Sequence, residues 1–268
     1  MNAAPDLNTH PTAPAAPDAP AERRRIPLRS TCAQPHFCSP AVRMRVLQHV
    51  SMFCDLSPEQ LTEVNEKMTS FSWAEGDPLY RAGESADHLY VLASGRAKAF
   101  RSTADGQDVV VDLFAPGDLF GGLQSLGQPQ HTETVRALTT VCALRIGTED
   151  FREILTEQPQ VALRVLDSVS AQLAMARTSA TQQSTATVAR RVAAALLRLA
   201  EKFGETRANG TLIQIPLSRA DLAGMTGSTT ESVSRAMSRL RKDGVIDSGR
   251  RWTAILDHDR LEALAAQD

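Results

Sequence analysis

The segment from Ser218 to Gly249 constrains the fold most, because it reads as two short helices joined across a glycine. Ser218 is a good N-cap, and Asp221 follows three residues later at capping-box spacing. Leu222 and Met225 turn inward, and Gly227 breaks the helix. After Ser228-Thr229-Thr230-Glu231 a second helix runs to Lys242. Val233, Met237 and Leu240 share its apolar face, while Glu231, Ser234, Arg235 and Ser238 share the opposite one. Asp243-Gly244 closes it, and Val245-Ile246, Gly249 and Trp252 to Leu256 read as a two-stranded wing. Two helices around a glycine turn, the second presenting short polar groups and an arginine, suit insertion into a DNA major groove.

The rest of the chain divides by periodicity into an α+β protein. Residues 1–40 form an Ala/Pro-rich segment, with Pro5, Pro11, Pro14, Pro17 and Pro20 close together, and are expected to be disordered. Arg23, Arg24 and Arg25 follow as a solvated basic spot or a contact to phosphates. Ser57-Pro58-Glu59-Gln60 starts a helix carrying Leu61, Val64 and Met68. Beyond Phe71, short apolar runs alternate with turn signals at Gly76, Gly83, Gly95, Gly106 and Gly117, which predicts a β barrel or sandwich over residues 41–158.

From Pro159, Ala162, Leu166, Val169, Leu173, Ala176 and Ala180 recur at alternating spacings of four and three, a heptad seam. Residues 159–186 are therefore expected to be a dimerisation helix, with an ordinary core-packed helix as the alternative. The polar run Thr178 to Thr187 leads out of it, and a helix from Val188 to Lys202 opens the DNA-binding unit, residues 187–262.

Composition narrows function by exclusion. Net charge is −2, so the chain is not a general nucleic-acid coat. Charge is uneven, however: Arg235, Arg239, Arg241, Lys242, Arg250 and Arg251 face only Asp243 and Asp247 in that stretch. There is no apolar run long enough to span a membrane and no secretory leader, so a cytoplasmic location without a membrane partner is expected. No Gly-rich phosphate loop, catalytic carboxylate pair or zinc-ligand spacing points to an enzyme. The four cysteines are few for a secreted scaffold and read as thiols or ligands.

Ser218-Arg219-Ala220-Asp221-Leu222-Ala223, Thr230-Glu231-Ser232-Val233-Ser234-Arg235, Leu240 and Gly244-Val245-Ile246 carry a resemblance. With Gly76-Asp77, Leu79-Tyr80, Gly83, Leu89-Tyr90-Val91, Gly95, Pro116-Gly117-Asp118-Leu119 and Ala137-Leu138-Thr139, the chain resembles the cAMP receptor protein/FNR (Crp/Fnr) family of bacterial regulators from about Val46 to Leu261. The resemblance implies a cyclic-nucleotide-binding-type β-roll, a long dimerisation helix and a winged helix-turn-helix. It also implies a homodimer with double-stranded DNA and RNA polymerase as partners.

Glu231, Ser234 and Arg235 fit the FNR-type spacing Glu-x-x-Ser-Arg, which implies half-sites similar to TTGAT, arranged as TTGAT-N4-ATCAA. By chemistry, Arg235 can donate two bonds to guanine O6/N7, Glu231 can accept from cytosine N4, and Ser234 is small enough to sit against thymine. Ser228, Thr229 and Arg250 complete the expected DNA-contacting set. A second reading of Glu231 makes it the capping-box partner of Ser228.

The signal is less defined. The family's cAMP pocket uses a Gly-Glu pair and then an Arg-Ser pair. This chain has Phe120-Gly121-Gly122-Leu123 and then His131-Thr132-Glu133-Thr134, with no carboxylate in the first and an acid in place of the cation in the second. Cyclic-nucleotide binding is therefore not expected. The haem-ligating positions of the family's CO sensors resemble Gly121 and Leu123, and His49, His88 and His131 stand isolated. The FNR-type arrangement, three N-terminal cysteines plus one in the β-roll, is similar to Cys32, Cys38, Cys54 and Cys142, and implies a [4Fe–4S] cluster. The usual close Cys-x-x-Cys is absent. Two alternatives stay open: Cys54 and Cys142 as small buried residues, and a thiol switch between Cys32 and Cys38. The overall expectation is a regulator controlled by redox, oxygen or another small effector, with a cofactor-free regulator or a cyclic-nucleotide-binding module as alternatives.

Overall fold

The computed structural model describes residues 34–35, 38–104, 106–122 and 129–266, and within the long helix it leaves out the side chains of 175–176 and 178–185. The Ala/Pro-rich segment, Arg23 to Arg25, Cys32 and Leu123 lie outside the described residues, and so do the side chains of Ala176 and Ala180. Strand β1 (Gln34–Pro35) and helix α1 (Pro40–Gln48) come first. Regular structure thus starts within the stretch expected to lack it. The start of α1 repeats the Ser-Pro signal seen at Ser57: Ser39 caps it, accepting from the Val42 N–H at 3.4 Å. A 3₁₀ turn (Ser51–Phe53) leads to α2 (Pro58–Glu66). There Ser57 and Gln60 form the reciprocal capping box, with the Ser57 N–H donating to the Gln60 side chain at 2.9 Å.

Eight further strands build the β-roll: β2 (Thr69–Trp73), β3 (Pro78–Tyr80), β4 (His88–Ser94), β5 (Ala97–Ser102), β6 (Asp108–Phe114), β7 (Leu119–Gly121), β8 (Thr134–Ala137) and β9 (Val141–Gly147). They form two antiparallel sheets, ordered β1-β2-β9-β4-β7 and β3-β8-β5-β6. Gly95 joins β4 to β5 at φ +88°, and a Cβ there would lie 2.3 Å from the Thr140 carbonyl oxygen, so only glycine fits. An aromatic core of Trp73, Tyr80, Tyr90, Phe114 and Phe120 fills the space between the sheets. Leu47, Phe53, Leu61, Val64, Leu89, Leu144 and Ile146 pack α1, the 3₁₀ turn and α2 onto the outside of the first sheet.

Helices α3 (Thr148–Glu157) and α4 (Pro159–Thr185) follow. Val161 and Val165 bury one face of α4 against the β-roll cluster. Leu166, Val169 and Leu173 of the heptad seam are 61%, 45% and 51% exposed. The alternative of an ordinary core-packed helix therefore fails over this part of α4, since nothing among the described residues covers the stripe. Thr187 then caps α5 (Val188–Phe203), accepting from the Arg190 N–H at 3.3 Å.

The C-terminal unit adds β10 (Gly204–Arg207), β11 (Gly210–Ile213), α6 (Arg219–Thr226), α7 (Thr230–Lys242), β12 (Ile246–Gly249), β13 (Trp252–Ile255) and α8 (His258–Ala266). The expected two-stranded wing is the outer half of a four-stranded antiparallel sheet, β10-β11-β13-β12. Its core, Val192, Leu196, Leu199, Leu222, Val233, Met237, Leu240, Ile246 and Ile255, continues into the β-roll through Val110, Leu113 and Leu138. Helix α6 lies on β6 closely enough that a Cβ on Gly224 would be 2.7 Å from the Asp108 carbonyl oxygen.

Candidate nucleic-acid interface

Short-range hydrogen bonds fix the two helices. The Ser218 N–H and hydroxyl both donate to one Asp221 carboxylate oxygen, at 2.8 and 2.7 Å. Gly227 ends α6 in the left-handed conformation, φ +55°, which turns the chain directly into α7. The N-cap of α7 is Thr229, whose hydroxyl accepts from the Ser232 N–H at 3.2 Å.

This corrects the second reading of Glu231. Ser228 lies one residue too early to cap. Its hydroxyl instead accepts from Arg191 at 2.9 Å and donates to the Thr226 carbonyl at 3.4 Å. Glu231 is left to the outer face of α7. It pairs there with Arg235 one turn on at 3.4 Å, the two side chains being 79% and 71% exposed.

Val233, Met237 and Leu240 bury the inner face of α7. The outer face carries Thr230, Glu231, Arg235, Ser238 and Arg239 in solvent, with Ser234 half-buried and donating to the Thr230 carbonyl at 2.7 Å. An exposed carboxylate–guanidinium pair of this kind is weak, because water competes for both groups. Its partners can therefore be exchanged for base edges at small cost. Arg250 and Arg251 form the tight turn between β12 and β13, since Gly249 pairs directly with Trp252. Arg250 is exposed, and Arg251 adopts φ +71° and reaches Glu75 of the β-roll at 3.0 Å.

A second link between the DNA-binding unit and the β-roll is buried. Lys98 on β5 donates to Asp221, the capping residue of α6. Burial alone would push the Asp221 carboxyl up. The hydrogen bonds from Lys98 and Ser218 overcome that and hold it below the usual carboxylate value.

Inside the β-roll, the positions that would hold a cyclic nucleotide are differently furnished. Phe120 stacks on Phe114 and Tyr90 at centroid separations of 4.4 and 5.5 Å. His131 stacks on Tyr80 at 3.7 Å, and burial lowers its pKa below the usual imidazole value. Glu133 is buried, accepts from the Thr132 hydroxyl at 2.6 Å and meets Arg101 at 3.6 Å. That guanidinium neutralises the carboxylate, so the pair presents no net positive charge to a phosphate. His49 is occupied at the surface, its Nδ1 2.7 Å from the Arg45 carbonyl oxygen.

Of the three described cysteines, the structure brings two together. Cys38 Sγ and Cys142 Sγ are 3.7 Å apart. Burial, with the neighbouring Cys38 thiol, pushes the Cys142 thiol up to about 12. Cys54 is exposed rather than a small core residue, and sits beside Asp55 and Arg164. It follows the C-terminal end of α1, a helix about 13 Å long, whereas Cys38 precedes the N-terminal end. Of the expected cluster ligands, Cys38 and Cys142 stand together, Cys54 stands apart, and Cys32 lies outside the described residues. The one close set of three metal-ligand types among the described residues is His258, Asp259 and Glu262, all exposed on α8. None of the described helices is long and apolar enough to cross a membrane.

A β-roll joined by a long helix to a winged helix-turn-helix with an open polar face defines a two-part DNA-binding protein. Residues 71–158 match the cyclic nucleotide-binding domain family, and residues 190–264 match the Crp-like helix-turn-helix domain family. The chain is 23% identical over 216 residues to the CRP-like cAMP-activated global transcriptional regulator of Mycobacterium tuberculosis, covering 81% of this chain and 96% of that protein. It is 24% identical to the fumarate and nitrate reduction regulatory protein of Salmonella typhi, covering 77% and 82% respectively. The solved structure of FixK2 from Bradyrhizobium japonicum superimposes with a TM-score of 0.67 at 26% identity, covering 75% of this chain and 98% of that one. The chain belongs to the Crp/Fnr family of DNA-binding transcription regulators.

Proposed function

We propose that the chain acts in the cytoplasm as a homodimer that reads an inverted repeat similar to TTGAT-N4-ATCAA and conveys a redox or small-effector signal to RNA polymerase. Residues 41–158 sense, 159–186 dimerise and 187–262 bind DNA, with 1–40 leading into the sensor. The observation that carries this reading is the outer face of α7, where Glu231 and Arg235 form an exposed pair, Arg235 also donates to the Ser232 hydroxyl at 3.4 Å, and Ser234 sits between them. On DNA, Arg235 takes guanine O6/N7, Glu231 accepts from cytosine N4, and Ser234 lies against thymine. Ser228 and Thr229, at the start of α7, and Arg250, on the wing, contact phosphates and set the register. The exposed stripe Leu166, Val169 and Leu173 supports the dimer, because a second copy of α4 can cover it along a heptad seam.

Arg235→Ala tests the readout. It should cost about 1–3 kcal/mol per half-site and relax the preference at the guanine. A variant that keeps full guanine preference in competition gel shifts contradicts the role.

Redox control in this reading rests on the adjacent Cys38 and Cys142. One observation favours a second reading, a small neutral effector in the β-roll. Among the described residues, the buried Tyr80 hydroxyl and Trp73 Nε1 have no hydrogen-bond partner, which suits a ligand that supplies acceptors. Equilibrium dialysis against small neutral metabolite pools, compared for wild type and Tyr80→Phe, distinguishes it.

A further inference from the structure

We propose that Cys38 and Cys142 form a reversible disulfide that staples the start of α1 to the β-roll sheet. The proposal deepens the redox-control reading above and rests on it for its regulatory meaning, while the bond itself stands on the geometry. The two sulfurs are 3.7 Å apart and come from residues 104 positions apart in sequence. A disulfide needs about 2.05 Å between sulfurs, so closure asks for a shift of less than about 2 Å. Cys142 cannot supply it, because β9 is held on both sides, with Cys142 paired to Ser72 of β2 and Ser94 of β4. Cys38 can, since it lies between the two-residue strand β1 and the first turn of α1.

The two thiols are unlike in a way that assigns their roles. Cys38 is half-buried and reachable from solvent, whereas Cys142 is buried and its thiol keeps its proton at neutral pH. A hydroperoxide is the oxidant class that fits. The Cys38 thiol gives up its proton and its sulfur attacks the peroxide oxygen; the O–O bond breaks, the departing alkoxide or hydroxide takes up that proton and leaves as alcohol or water, and Cys38 becomes a sulfenic acid. Cys142 then attacks that sulfur. The S–O bond breaks, the Cys142 proton goes to the departing hydroxide, and water leaves. In sum, two thiols and one hydroperoxide give one disulfide, one alcohol and one water. A small-molecule or protein dithiol reverses the step by exchange, becoming a disulfide itself.

The staple lies where it can be felt at the dimer helix. Cys38 immediately precedes α1, and α1 is clamped by Arg43, which donates to the Asn65 side chain and to the Asn65 and Met68 carbonyls. Beyond α1, the next loop anchors on α4 through Asp55 and Arg164 at 2.7 Å. A tug at Cys38 therefore runs through one helix to the element that carries the exposed dimer stripe.

The test uses the full chain, reduced without air and then treated with stoichiometric hydrogen peroxide. A non-reduced digest should contain the Cys38 peptide linked to the Cys142 peptide. Dithiothreitol should reverse it, and Cys32→Ser or Cys54→Ser should leave it intact. Cys38→Ser and Cys142→Ala should each abolish it, with peroxide leaving a trappable sulfenic acid on Cys38 in the second. Affinity for a TTGAT-N4-ATCAA duplex should change several-fold between reduced and oxidised wild type and not at all in Cys38→Ser. A Cys32–Cys38 link, irreversible Cys38 oxidation without a link, or iron and sulfide bound to the anaerobic protein overturns the proposal. If the link forms but neither state binds the duplex, the disulfide stands and the DNA reading fails. If the duplex binds but no link forms, the reverse holds.

Discussion

Replacing Lys98 by methionine keeps the length of the side chain and removes its charge, and so isolates the buried bond between the β-roll and the DNA-binding unit. The Lys98 and Asp221 side chains are 12% and 10% exposed. Taking one partner from a buried pair costs about 3–5 kcal/mol, because the other charge stays behind unpaired. Asp221 keeps both donors from Ser218, at 2.8 and 2.7 Å, so the lower end applies, about 3 kcal/mol. At about 2–4 °C per kcal/mol for a unit of this size, the melting temperature should fall by roughly 6–12 °C at pH 7. The pH dependence has a definite sign. The folded carboxyl is held below its ordinary value of 3.8, so the pair's stabilisation is present above that value and is lost as pH falls through the lower, folded one. In Lys98→Met, burial without the ammonium raises the carboxyl, so the deficit against wild type should narrow on acidification. Adding Asp221→Asn removes the stranded charge while keeping an acceptor for Ser218, and should recover most of the loss. Thermal unfolding followed by circular dichroism reads all three. A Lys98→Met protein melting within about 2 °C of wild type, or a double variant no more stable than the single, refutes the assignment.

Leu173→Glu should convert the dimer to monomer at low micromolar concentration in sedimentation velocity, because the partner helix would have to bury a charge against Leu166 and Val169; an unchanged dimer contradicts the α4 seam. His131 is buried against Tyr80 with its folded pKa below the ordinary 6.5, although Glu133, Glu84 and Asp87 oppose the shift. The unfolded chain therefore binds the proton first, stability is full above about 6.5, and the melting temperature should fall from about pH 7 to pH 5.5, with His131→Phe giving a flatter profile. Parallel profiles for the two proteins would place the acid sensitivity elsewhere.

What the sequence disclosed was local. The Ser218–Asp221 capping box, the Gly227 break and the helix start at Ser57-Pro58 are settled within four residues, and each occurs as written. The α4 stripe was readable because its spacing is periodic, though its exposure only shows in three dimensions. Two further elements carry their own signals in the sequence. Ser39-Pro40 repeats the start of α2, and Gly210, at φ +123°, opens β11 directly after the two-residue turn Ala208-Asn209. The cap of α7 went to Thr229 because Ser228 was claimed by Arg191, a contact 37 residues away in sequence that spacing cannot reveal. The same holds for Lys98 with Asp221 and for Cys38 with Cys142, which meet only because β5 and β9 place them.

Selection from a random duplex pool tests the central claim, that this chain reads a two-fold DNA site through α7. Reduced and peroxide-treated full-length protein would each be taken through several rounds, in parallel with Arg235→Ala. At least one wild-type state should enrich two TTGAT-like half-sites in inverted repeat, centred about one helical turn apart, with the guanine position randomised in Arg235→Ala. Enrichment of a direct repeat or a single half-site, of a motif whose guanine survives Arg235→Ala, or of nothing in either state would contradict it.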